Sequence, residues 1–124
     1  MPRLPGTLPT LEARLAELTR GSATLTADPT RGPAVWIART RLGRFICVVL
    51  ESARIGVLSR AIEGWTPSPR TGRPLLVVPY MGPSGKALCA ASSVSWLDLS
   101  GNAEIVAPGV LIHVEGQPNR FTPR

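Results

Sequence analysis

Residues 74–100, PLLVVPYMGPSGKALCAASSVSWLDLS, decide the fold. The run at 74–80 is almost unbroken apolar sequence, the pattern of a strand buried on both faces in a parallel or mixed sheet. Pro83 then stands where helices begin, and Leu88 and Cys89 supply apolar positions, so a short helix is predicted over 83–93. A second strand follows in VSWLDLS. Strand, helix, strand implies a crossover between parallel neighbours, with 74–80 as the candidate central strand.

Working towards the N terminus, WTPSPRTGRP at 65–74 is Pro-rich and reads as a surface loop. Ile55, Leu58 and Ile62 recur at spacings of three and four, with Arg54 and Arg60 elsewhere around the axis, which predicts a helix near 53–63. PAVWIARTRLGRFICVVLES, residues 33–52, reads as two strands joined at Leu42-Gly43, a hairpin with Arg39, Arg41 and Arg44 around its tip. SATLTADPTRGP at 22–33 reads as turn. Leu8, Leu11, Leu15 and Leu18 share one helical face, with Thr7 or Thr10 as the cap and Gly21 as the stop.

Towards the C terminus, SWLDLSGNAEIVAPGVLIHVEG predicts three short strands broken at Ser-Gly-Asn and Pro-Gly. Residues 1–6 and 117–124 are expected to be flexible. The length of 124 residues fits a single domain, and no uninterrupted apolar run approaches the roughly 18 residues of a membrane span. Prolines and glutamates interrupt MPRLPGTLPTLEARLAEL before a signal-like apolar region forms. A cytoplasmic protein with no membrane partner is the expectation. Cys47 and Cys89 lie in the apolar contexts FICVVL and ALCAAS, where thiols act as small buried hydrophobes.

The net charge of +6 is unevenly placed: residues 1–73 hold eleven Arg against five acids, whereas residues 74–124 hold three basic and three acidic side chains. Such an excess attracts an anionic polymer through counterion release. A GC-rich genome also favours Arg over Lys together with abundant Ala, Gly and Pro, so composition alone leaves nucleic-acid contact open.

The chemistry of catalysis is thinly represented. One Lys and one His leave few proton shuttles. His113 sits in VLIHVEG with Glu115 on the same side of the strand, the ordinary pattern of a satisfied or exposed strand histidine. GPSGKA places a glycine-bearing turn before a helix but lacks the spacing of a phosphate-binding loop. Asp98 is the most unusual carboxylate, because strand interiors disfavour Asp. It reads either as an acceptor for the Ser100-Gly101-Asn102 turn, the favoured account, or as an acid at a sheet end.

Residues 74–121 resemble a stretch of the AbiEi-type antitoxin and transcriptional-regulator family of bacteria. The matching features are VVPYMGP, the short helix, WLDLSGNAEI and VLIHVEGQPN; DLSGNA, residues 98–103, is the most specific, and 33–64 follow in outline. The resemblance implies one restriction-endonuclease-like domain over 1–124, an α/β mixed sheet flanked by helices. It also implies a regulatory role in a toxin–antitoxin system, with duplex DNA as partner and a toxin protein as a second candidate. Longer relatives join this domain to a winged helix-turn-helix.

Nuclease members of that fold carry Pro-Asp and then Asp/Glu-x-Lys on adjacent strands. Here AVWIART has no Asp, and VVLESAR offers Glu51 with Ala53 in the Lys position; shifting the register by two puts Glu51 on the Lys position and Val49 on the acid. The favoured expectation is a non-catalytic DNA-associated domain, without cofactor or metal, contacting DNA through Arg39, Arg41, Arg44, Arg54 and Arg60. The alternative is a nuclease holding Mg2+ with Glu51, Asp98 and Glu104.

Overall fold

The apolar run at 74–80 forms a strand, Arg73–Val78, whose Leu75, Leu76, Val77 and Val78 are all buried. Among the described residues it is the fourth of seven strands, at the centre of one sheet. The computed structural model describes residues 7–28, 34–64, 72–107 and 109–120. In chain order the elements are α1 (Thr7–Thr19), β1 (Ala23–Ala27), β2 (Val35–Thr40), β3 (Gly43–Val49), α2 (Ile55–Glu63), β4 (Arg73–Val78), α3 (Pro83–Ala91), β5 (Ser95–Asp98), β6 (Ala103–Ala107) and β7 (Val110–Val114).

The strands lie side by side in chain order. β3, β4 and β5 are parallel, because α2 and α3 carry the chain back between them. On either side the sheet is antiparallel: β1, β2 and β3 form one wing, and β5, β6 and β7 the other. The fold is therefore a mixed α/β arrangement with a seven-stranded sheet and three helices among the described residues.

Alternation along the strands divides the core between the two faces. Phe45, Cys47, Leu75, Val77, Leu97 and Ile105 pack beneath Leu11 and Leu15 of α1. On the other face, Leu76, Val78 and Trp96 pack against Leu58 of α2, Cys89 of α3 and Met81. The two crossover helices touch closely at Gly85, where an added Cβ would press into Met81 Sδ and lie 3.0 Å from Leu58 Cδ1.

Two expectations need correction. The segment 22–33 is not turn throughout, since Ala23–Ala27 is the edge strand β1, paired antiparallel with β2. ATLTA alternates, with Leu25 packed against the α1 core and Thr24 and Thr26 exposed; the turn signals belong to the Asp-Pro and Gly-Pro steps after it. Likewise the residue that turns the chain out of α1, just after Thr19, is Arg20 rather than Gly21. Arg20 takes the left-handed conformation (φ 54), its N–H donates to the Glu17 carbonyl, and the Gly21 N–H reaches back to that of Ala16 at 3.0 Å. Among the described residues no helix is long and apolar enough to cross a membrane.

Candidate functional site

β5 ends in Asp98, which is fully buried and surrounded by donors. Its Oδ1 accepts from the backbone N–H of Ser100 (3.1 Å) and of Asn102 (2.8 Å). Its Oδ2 accepts from the Met81 N–H (3.1 Å) and the Asn102 side-chain amide (2.9 Å). A carboxylate offers four acceptor positions and no donor, and this corner fills all four. Gly101, at φ +116, completes the turn in a conformation that side chains resist.

The corner extends outward through Ser100 and Asn102. Ser100 Oγ donates to the Pro79 carbonyl at the end of β4 and accepts from the Arg120 N–H, both at 3.1 Å. Asn102 Oδ1 accepts from the Gln117 N–H (2.9 Å), and its amide also donates to the Gln117 carbonyl (3.1 Å). The tail expected to be flexible is thus hydrogen-bonded to the corner at 117 and 120. Residues 1–6 and 121–124 lie outside the described residues.

The carboxylates of the nuclease alternative do not converge. Glu51 is exposed beyond the end of β3 and lines a cavity of about 580 Å³ with Arg54 and Val57. Asp98 belongs to the corner. Glu104 lies on β6, where its Oε1 is 3.1 Å from His113 Nδ1; His113 Nε2 is 3.2 Å from Glu115 Oε2. Each ring nitrogen faces a different carboxylate, so the trio forms a chain rather than a common ligand shell. Among the described residues no group of three or more His, Cys, Asp or Glu could hold a metal ion.

The arginines are arranged differently. Ala38 and Phe45 enter the core under α1, so Arg39 and Arg44, one residue along each strand, project from the opposite face. They are direct cross-strand partners, and both are exposed. Arg41 is exposed at the hairpin tip, held by Thr40 Oγ1, which donates to the Gly43 carbonyl (2.9 Å) and accepts from the Leu42 N–H (3.1 Å). Arg54 precedes α2 and Arg60 lies on it, both exposed on the side of the sheet that carries α2.

Sequence reading missed a further pair. Arg14 of α1 and Arg120 of the tail line a cavity of about 270 Å³ beside the Asp98 corner. No spacing could have revealed them, since they come from opposite ends of the chain and meet only because Ser100 holds the Arg120 backbone.

Lys86 of the phosphate-loop-like stretch lies with Nζ 6.0 Å from the Trp96 ring centroid, a cation–π distance. Cys47 and Cys89 are both free and buried. Burial pushes the Cys47 thiol up to about 12; burial, with the negative charge of Glu104, pushes Cys89 up to about 11. No family model, curated protein or solved structure matches the chain.

Proposed function

We propose that this protein is a non-catalytic DNA-associated domain that binds the phosphate backbone of duplex DNA, with a regulatory role of the AbiEi type. The observation that carries the reading is the Arg39–Arg44 pair: two exposed guanidinium groups directly opposite on adjacent strands, on the same side of the sheet as Arg54 and Arg60. Exposed guanidinium groups set close together on one face attract the phosphates of an anionic polymer and release its counterions. A restriction-endonuclease-like fold belongs to the same proposal, supported by the mixed sheet with crossover helices on one face and α1 on the other. A toxin protein remains the second candidate partner on this reading, and the cytoplasm the expected compartment.

Fluorescence anisotropy with a labelled duplex at about 50 and about 200 mM salt tests it, with affinity expected to fall steeply between the two. Binding that is absent at low salt, or indifferent to salt, sinks the proposal. The nuclease alternative has its own check: plasmid incubated with the protein and Mg2+ or Mn2+ is expected to stay intact, and cleavage that disappears in Glu51→Gln would revive it.

A further inference from the structure

The cavity between α1 and the Asp98 corner combines charge, apolar walls and a rigid frame. Its volume of about 270 Å³ compares with ~30 Å³ for one water in the liquid, so it holds a ligand of several heavy atoms rather than a single halide. Arg14 and Arg120 line it together with Glu17, Leu18, Leu97 and Val114.

The frame is fixed on both sides. Gln117 is held by both ends of the Asn102 amide, and the Arg120 backbone is tied to Ser100 Oγ. A Cβ on Gly101 would sit 3.1 Å from Gln117 Cγ and 3.7 Å from Arg14 Nη2, so the glycine keeps this space open.

Arg14 has spare donors. Its contact with Glu17 is long, at 3.5 Å, and the Glu17 side chain is 70% exposed while that of Arg14 is 26% exposed. Exposed pairs of this kind are weak, so the guanidinium is available to a better acceptor. A carboxylate is such an acceptor, through paired N–H···O bonds.

Charge and walls narrow the ligand class. The carboxylate of Asp98 is taken up by its own four donors and the Glu17 side chain is largely exposed, so Arg14 and Arg120 are the charges that face a ligand. The half-buried Leu18 and Val114 add a short apolar wall, which an aliphatic body meets and inorganic phosphate does not. We propose that the cavity is a binding site for a small organic monocarboxylate, with the carboxylate between Arg14 and Arg120 and the aliphatic part against Leu18 and Val114. The site lies on the α1 face, away from the Arg39–Arg44 pair, and stands independently of the DNA-binding proposal.

Amide NMR spectra of the full chain, titrated with sodium butyrate and, at matched ionic strength, with sodium phosphate and sodium chloride, test the assignment. Butyrate is expected to produce saturable shifts at Gly101, Asn102 and Gln117 with a midpoint on the order of millimolar. In Arg14→Gln and Arg120→Gln, which keep every backbone bond of the corner, the midpoint rises about tenfold or more. The well-dispersed spectrum of each variant reports its fold in the same experiment. Shifts that match those of chloride, equal binding of phosphate, or an unchanged midpoint in Arg120→Gln would overturn the proposal.

Discussion

Asn102 holds Asp98 twice, through its backbone N–H to Oδ1 at 2.8 Å and its side-chain amide to Oδ2 at 2.9 Å. With Met81 and Ser100 on the remaining positions, each carboxylate oxygen accepts from two donors. Asp98→Ala leaves all four without a partner in a buried place, at ~1–3 kcal/mol for each unsatisfied group, partly relieved by relaxation. A loss of at least about 3 kcal/mol in urea unfolding is expected. Asp98→Asn is no mild change, because its NH2 must face two donors; it should lose more than about half as much. An Asp98→Ala protein as stable as the parent refutes the structural role.

Gly101 and Gly56 should respond to alanine in opposite directions. Gly101 has φ +116 and its Cβ would crowd Gln117, so Gly101→Ala is expected to cost about 1–3 kcal/mol. Gly56 lies in α2 with nothing within 4 Å of an added Cβ, so Gly56→Ala should raise stability by about 0.5–1 kcal/mol. Thermal unfolding of the two variants distinguishes these signs.

The buried thiols set an alkaline limit. Folding raises both, to about 12 for Cys47 and about 11 for Cys89, chiefly because burial disfavours the thiolate. The folded state therefore keeps protons that the unfolded chain begins to release near pH ~8.5, and stability is full below that point and lost as pH rises towards 11 and 12. Urea midpoints should fall steadily above pH ~9, and less steeply in Cys47→Ala when each pH series is referred to its own neutral value. Native protein should also react slowly with a thiol reagent at pH ~8 and take up two equivalents in urea. Rapid native labelling contradicts the burial.

For DNA, Arg39→Glu with Arg44→Glu should weaken binding more than either change alone and lower the salt slope by about one unit for each phosphate contact removed. A double variant with the parental slope separates the hairpin from the DNA contact.

Much of the architecture was legible because its signals are local. The unbroken apolar stretch at Leu75–Val78 required burial on both faces, and the three- and four-residue spacing of Ile55, Leu58 and Ile62 required α2. β1 was hidden because ATLTA is brief and abuts Asp-Pro, so turn chemistry masked its alternation. Of the candidate site, Asp98 was readable as a turn acceptor from the Ser-Gly-Asn that follows it. Its contact with Met81 was not, since that depends on where β4 ends beside β5. Glu104 looked like a candidate acid until register placed it across from His113. Arg14 and Arg120 carried no signal, because only tertiary structure joins them.

The division of the sheet into two antiparallel wings and a parallel centre also governs how the chain reaches its native state. Wing contacts such as Thr40 with Gly43 close over a few residues, whereas Phe45 meets Arg73 and Leu75 meets Ser95 only after a whole helix has been formed and folded back. Loop closure over those longer segments has to precede the central pairing, so the wings can zip early and the middle sets the pace. A truncation in β4, such as Leu76→Ala, should therefore depress the refolding limb of a chevron, while Ile112→Ala at the edge should act mainly on the unfolding limb.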